Sequence, residues 1–270
     1  MNWQKAARAL PDRVLPLSIK KDWGKKMKLF CFPYAGGLPG IYYSWKSRFP
    51  PTFLDIYPFE VRPRALQQNG AVHLPTSFYE LLEDVYGRIT PELDGSPFAF
   101  FGHSMGGLVA FELTRKLMQR GEPLPQHLFL SASRVPHAYH KLAKTYHLPH
   151  DEFVEELRRL GGTPDDVLDN PELLELFLPI LRADFQAVQT YEMDQSLPRQ
   201  VPVNMSVLYG TKDSIALEDI LAWRDYCQGA CKFYPVTGGH FFIHHQIEPI
   251  LQIISHVLQV ETVVPIHAPY

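Results

Sequence analysis

Phe100-Phe101-Gly102-His103-Ser104-Met105-Gly106-Gly107 is the stretch on which the reading of this chain turns. The apolar run Pro97 to Phe101 leads straight into a Gly-x-Ser-x-Gly turn, and a helix-like pattern, Met105 to Arg120, starts at once behind it. Strand, sharp turn and helix in that order are the setting in which such a serine becomes a nucleophile. The turn crowds the positions flanking Ser104, so glycine is needed on both sides. The strain lifts the hydroxyl above the sheet edge, and the helix points its N-terminus at developing negative charge. The stretch predicts a serine hydrolase with Ser104 as nucleophile.

A serine hydroxyl is a poor nucleophile until a base takes its proton, and on such a sheet the partners follow in the order acid, then histidine. The apolar run Val203 to Tyr209 ends in Gly210-Thr211-Lys212-Asp213, and Lys232 to Val236 ends in Thr237-Gly238-Gly239-His240. Both candidates sit just past the carboxyl ends of strands, where α/β sheets build their sites. His240 would act as base, with Asp213 holding its tautomer. Two alternatives stand beside Asp213: the carboxylate of Asp184, in Leu181-Arg182-Ala183-Asp184-Phe185, and a role for Asp213 as cap of a helix starting near Ile215. His240, His244 and His245 have a suggestive spacing, yet no glutamate at the right offset and no cysteine pattern accompany them, so no metal site is expected.

Of the 270 residues, 46% are apolar, enough for one large core, and the formal net charge of −3 leaves no footprint for nucleic acid. No apolar stretch is long enough to span a bilayer and the N-terminus has no signal-like apolar segment, which predicts a cytoplasmic protein. Cys31, Cys227 and Cys231 are too few for a disulfide framework and read as reduced thiols.

Strand and helix patterns alternate along the chain. Strands are expected at Lys28–Phe32, Leu54–Tyr57, Phe98–Phe101 and His127–Ser131, besides the two named above. Ser77 and Glu80 have capping-box spacing and open a helix to about Ile89. A last helix runs from about Glu248 to Leu258, residues 1–26 read as an extension or edge element, and residues 260–270 as a flexible tail. The whole predicts one α/β domain over residues 1–270 with a mainly parallel, doubly wound sheet. Between the strands ending near Ser131 and starting near Val203 no strand pattern occurs. A helix is expected over Asp151–Leu160, and another starts at Asn170-Pro171. The second carries apolar residues on more than one face, from Leu173 to Phe185, which fits a helix buried on both sides; the compatible and preferred reading is a lid above the strand ends, over a hydrophobic channel suited to an acyl chain.

A tetrahedral intermediate needs two preorganised N–H donors. One is expected at Met105, directly after the nucleophile, and the other at Ala35, in Pro33-Tyr34-Ala35-Gly36-Gly37, which reads otherwise as an ordinary glycine-rich turn.

Several phrases, in order and with similar gaps, resemble the type II thioesterases, stand-alone members of the α/β-hydrolase superfamily that accompany polyketide synthases, nonribosomal peptide synthetases and animal fatty acid synthase. They are Phe32-Pro33-Tyr34-Ala35-Gly36-Gly37, Phe98 to Gly106, Leu160-Gly161-Gly162-Thr163-Pro164, Leu181 to Phe185 and Gly238-Gly239-His240-Phe241-Phe242. The resemblance implies the α/β-hydrolase fold, Ser104, Asp213 and His240 as the triad, and a mobile helical lid at about residues 137–195. It implies hydrolysis of acyl thioesters on the phosphopantetheine arm of an acyl or peptidyl carrier protein domain, to remove stalled groups or release a chain. No cofactor is implied, because the phosphopantetheine belongs to the substrate, and a monomer is expected. The chain departs from the family at Pro58-Phe59-Glu60-Val61-Arg62-Pro63-Arg64, where a Leu-Pro-Gly-Arg-like loop is usual and borders the site entrance. A general carboxylesterase or lipase, and a carrier-binding accessory protein with weak hydrolysis, are the alternative functions.

Overall fold

The structure, a computed structural model, describes residues 26–50, 52–62 and 74–259. Residues 1–25 of the expected extension, the expected tail at 260–270, and Pro63 and Arg64 of the departing loop lie outside the described residues.

Six strands form one sheet: β1 Met27–Phe32, β2 Leu54–Pro58, β3 Phe98–His103, β4 His127–Ser131, β5 Asn204–Gly210 and β6 Cys231–Val236. Their order is β2-β1-β3-β4-β5-β6, and every neighbouring pair is parallel. A parallel sheet is covered on both faces, which is why β3 reads as an unbroken apolar run and is buried throughout. Alternation sorts the two faces. Phe30, Phe32, Phe98, Phe100, Leu128, Leu130 and Val207 pack on one side with α1 (Phe78–Ile89) and α2 (Met105–Arg120). Leu29, Cys31, Ala99, Phe101, Phe129 and Leu208 pack on the other with Tyr42, Trp45 and Ile250, Leu251 and Ile254 of the final helix. Chain order reverses at β1, so the crevice between the ends of β1 and β3 is the topological switch point. The loop holding Ala35 and the turn holding Ser104 both open there.

Between β4 and β5 lie a 3-10 turn, Pro136–Lys141, and helices α3 (His150–Leu160), α4 (Asp165–Leu168) and α5 (Pro171–Gln189). Local signals place them. Gly161 ends α3 in the left-handed conformation, and the Asn170 side chain accepts from the amides of Glu172 and Leu173 at 3.0 and 3.2 Å. Phe153, Leu157, Leu168, Leu174, Leu178 and Leu181 form a small core of their own. The expectation of a helix buried on both sides is corrected for the first half of α5: Leu176 is 60% exposed and Leu173 is half-exposed, so only one face is covered there. Two helix starts also differ from expectation. Ser77 stands at the start of α1 but its side chain makes no cap bond. The helix expected near Ile215 starts later, as α6 (Leu217–Leu221), with Ala216 rather than Asp213 at its cap position. The last helix, α7, spans Ile247–Leu258.

The return from α5 to β5 is anchored on α2 by a fully buried arginine. Arg115 reaches both Glu112 oxygens at 2.7 and 2.8 Å and donates to the carbonyls of Asp194, Leu197 and Pro198. Tyr191 donates to the same carboxylate at 2.6 Å. Burial pushes the Glu112 carboxyl up, opposed by Arg115 and by the Tyr191 bond. Arg115→Met leaves that buried carboxylate with Tyr191 alone and takes the side-chain donor from three carbonyls. The expected loss is about 3–5 kcal/mol of unfolding free energy, read as a lower urea midpoint at pH 7. A midpoint unchanged from the parent would contradict it.

A largely buried histidine sets an acid limit on stability. His127 at the start of β4 bonds Ser206 at 2.9 Å, and burial, with the Lys232 charge, pushes it down to about 4. The folded form therefore stays neutral while the unfolded chain takes up the proton below about 6.5. Nothing is lost above that value, and stability drains away as pH falls toward 4. His127→Gln is expected to lessen the loss between pH 7.5 and 4.5 by about 2–3 kcal/mol, measured by urea melts at both values.

Candidate active site

Ser104 adopts φ 55° and ψ −116° between β3 and α2, the strained turn expected from its glycines. A Cβ on Gly102 would lie 2.0 Å from the Gly106 carbonyl oxygen, and one on Gly106 would lie 2.1 Å from that of Phe32. The first glycine lets the helix start fold back on the strand, and the second lets it sit against β1. The Ser104 amide bonds the Ser131 carbonyl at 2.8 Å, tying the turn to the end of β4.

The loops after β5 and β6 are laced together: Thr211 donates to the Val236 carbonyl at 2.9 Å and Lys212 to that of Gly238 at 2.8 Å. This pairing delivers Asp213 to His240. Nδ1 of His240 lies 2.8 Å from Asp213 Oδ2, and its Nε2 lies 2.9 Å from Ser104 Oγ. A carboxylate only accepts, so Nδ1 carries the proton and Nε2 is left to accept from the serine hydroxyl. Burial acts to raise the Asp213 carboxyl, but the His240 bond and charge and the amides of Ile215 and Ser214 outweigh it and bring it below its ordinary value. The charged form is thus kept beside the ring. Its Oδ1 accepts from Ile215 at 3.2 Å, a turn bond that fixes the side chain.

His103, inside the turn motif, positions the ring from behind. Its Nε2 donates to the His240 carbonyl at 3.0 Å, leaving Nδ1 to accept from Ser131 Oγ at 2.9 Å. Burial holds His103 well below the ordinary histidine value, so it keeps this one neutral arrangement. His244 goes elsewhere, bonding Tyr34 at 3.0 Å, and among the described residues no group of histidine, cysteine and carboxylate side chains is placed to hold a metal ion.

Above Ser104 opens a cavity of about 430 Å³. Ala35 and Met105 line it beside the serine. Met105 is the first residue of α2, so its N–H has no acceptor within the helix. The roof comes from the segment between β4 and β5, where Leu142, Leu157, Leu160, Phe185 and Val188 supply apolar surface and Arg134, Glu156, Arg159 and Thr163 supply polar surface. Gln189 faces the cavity too, but its amide is engaged by the Thr145 and Tyr146 backbone and by Thr145 Oγ1.

Asp184, the other carboxylate weighed from the sequence, lies away from His240. It is buried on α5, where Oδ1 accepts from Arg62 Nε at 2.6 Å and Oδ2 from the Gly36 amide at 2.7 Å. Arg62 belongs to the loop that departs from the family pattern. None of the described residues of that loop, 58–62, lines the cavity. It turns instead toward α1 and α5: Arg88 donates to the carbonyls of Glu60 and Val61 at 2.7 and 3.0 Å, and Arg62 meets Asp184. The link from Arg62 to Asp184 to Gly36 escaped the sequence reading, because it joins residues 148 positions apart.

The profile of the thioesterase domain matches residues 27–258. Linear gramicidin dehydrogenase LgrE of Brevibacillus parabrevis is 34% identical over 92% of this chain and 94% of its own. Thioesterase PikA5 of Streptomyces venezuelae is 34% identical over 85% of this chain and 80% of its own. Among solved structures, YbtT, the type II thioesterase of the yersiniabactin NRPS/PKS pathway, superposes with a TM-score of 0.73 at 27% identity, covering 87% of this chain and 94% of that one. Sheet, turn and match agree, and the chain belongs to the thioesterase domain family, as a type II thioesterase of the α/β-hydrolase fold.

Proposed function

We propose that Ser104, His240 and Asp213 are the catalytic triad and that the acyl thioesters hydrolysed are those on the phosphopantetheine arm of a carrier protein. The observation that carries this is the unbroken chain from Ser104 Oγ through His240 to Asp213, at 2.9 and 2.8 Å, at the floor of a cavity. As Ser104 Oγ attacks the acyl carbon, Nε2 of His240 takes its proton. The C–S bond breaks and the same proton passes to the departing sulfur. Water then gives a proton to His240 and its oxygen to the acyl carbon, and the proton returns to Ser104 as the acid leaves. Asp213 stays charged and stabilises the imidazolium in both halves. The N–H groups of Met105 and Ala35 receive the oxyanion. The step is redox-neutral and its proton inventory closes within these residues.

The carrier protein is inferred from the pathway in which YbtT works. Leu142, Leu157, Leu160, Phe185 and Val188 in the roof suit an acyl chain, and the segment at 137–195 serves as a lid over it. A dehydrogenase, as LgrE is named, needs a dinucleotide cradle at the switch point. Here the loop after β1 enters a 3-10 segment, Pro39–Arg48, and the Gly36 amide is already held by Asp184.

The test is mass spectrometry of a carrier protein loaded with acetyl, decanoyl or aminoacyl groups, incubated with the protein and, in parallel, a simple oxygen ester. Loss of acyl mass from the carrier is the expected result. A carrier left loaded while the oxygen ester is cleaved would make the protein a carboxylesterase; carrier binding without turnover would make it an accessory protein.

A further inference from the structure

The buried pair Asp184–Arg62 is not explained by stability. Each side chain is only 4% exposed, yet the two meet through a single guanidinium nitrogen, Nε. Nη1 and Nη2 of Arg62 are buried with no hydrogen-bond acceptor among the described residues. A buried ion pair with poor geometry and orphan donors is generally no more stable than an apolar replacement. What the carboxylate does achieve is to hold the amide of Gly36 with its second oxygen, at 2.7 Å.

Gly36 has φ +75°, and a Cβ there would lie 2.2 Å from Leu181 Cδ2. Leu181 precedes Asp184 by three residues on α5, so one face of that helix meets the loop twice, once by packing and once by a charge-assisted bond. The next residue back, Ala35, lines the cavity with Ser104 and Met105. Phe185 and Val188, further along α5, line that cavity as well.

We infer that Asp184 is the positioning residue of the oxyanion loop: its carboxylate, balanced by Arg62, fixes the Gly36 peptide and so sets the Ala35 N–H for the transition state whenever α5 is seated. Any movement of α5 away from the sheet carries the acceptor off Gly36. An acyl chain packed under Phe185 and Val188 therefore helps to assemble the oxyanion hole that will act on it. The role rests on the Ser104 reading above and goes beyond it.

Two paired variants separate the acceptor from the charge. Arg62→Met with Asp184→Asn removes both charges but leaves an oxygen for Gly36; Arg62→Met with Asp184→Leu removes both charges and the oxygen. The first pair is expected to keep kcat within about 3-fold of the parent, and the second to lose about 10- to 100-fold with KM little changed. Inhibition by an acyl trifluoromethyl ketone, which puts an oxyanion in the same place, should weaken in proportion to kcat. Equal kcat in the two pairs, or a loss confined to KM, overturns the role. Backbone exchange adds a reading on the parent protein alone: the Gly36 amide is expected to exchange slowly, and exchange at the free-loop rate overturns the role even if the second pair fails to fold. Activity surviving in Ser104→Ala would sink the Ser104 reading itself. An inactive Ser104→Ala with equal pairs sinks the positioning role alone.

Discussion

In Ser104→Ala, thioester hydrolysis is expected to fall by about 10⁴- to 10⁶-fold, while the fold and the cavity remain. Among the described residues the hydroxyl oxygen makes one bond, to His240 at 2.9 Å, so its removal leaves without a partner only Nε2 of a partly exposed ring. The backbone strain at φ 55° is the same for alanine as for serine, so the melting temperature should move by no more than a few degrees. What remains after the substitution is catalysis by the oxyanion donors and by binding alone, which in triad enzymes is still about 10³–10⁴ above water. The measurement is the initial rate on a soluble acyl thioester, together with intact-protein mass after rapid quench. The parent should carry an acyl adduct and the variant none. A variant within tenfold of the parent would remove Ser104 from the chemistry.

How much of this was legible before the fold was known depends on how local each signal is. The Ser104 turn, the end of α3 at Leu160 and the start of α5 at Asn170-Pro171 are written in consecutive residues, and each lies where it was expected. Strand and helix periods were equally local, so β4 and α2 fall on the expected residues. Ser77 misled because a capping-box spacing states only that a bond is sterically allowed, and here Ser77 does not make it. Leu176 misled because apolar residues on two faces of α5 do not say that both faces find a neighbour. The departing loop was opaque for a different reason. Arg62 takes its meaning from Asp184, on a helix that only the tertiary fold brings near, and no pattern within the loop announces that partner.

The same distinction separates the two carboxylates, and it leads to the second large effect. Both are carboxylates that precede His240 in the chain, so sequence order alone leaves a choice; distance does not. Asp213 touches the Nδ1 of His240 at 2.8 Å, whereas Asp184 is spent on Arg62 and Gly36. Asp213→Asn replaces a pure acceptor by a group that can also donate, so the ring can turn its proton toward Ser104 and no longer accept from it. The imidazolium formed during attack also loses its counter-charge. A kcat loss on the order of 10⁴-fold is expected, as for the equivalent change in serine proteases. Asp184→Asn leaves the His240 tautomer alone and should cost far less. The downfield proton resonance of His240 Nδ1–H distinguishes the two directly: it should vanish or shift strongly in Asp213→Asn and persist in Asp184→Asn. If instead Asp184→Asn were the inactive variant and Asp213→Asn remained within tenfold of the parent, the acid would have been assigned to the wrong carboxylate. The depressed Asp213 carboxyl adds a second check on the parent protein: acidification toward pH 4 should leave that carboxylate charged, so a proton uptake at Asp213 seen above its ordinary value would break the electrostatic account.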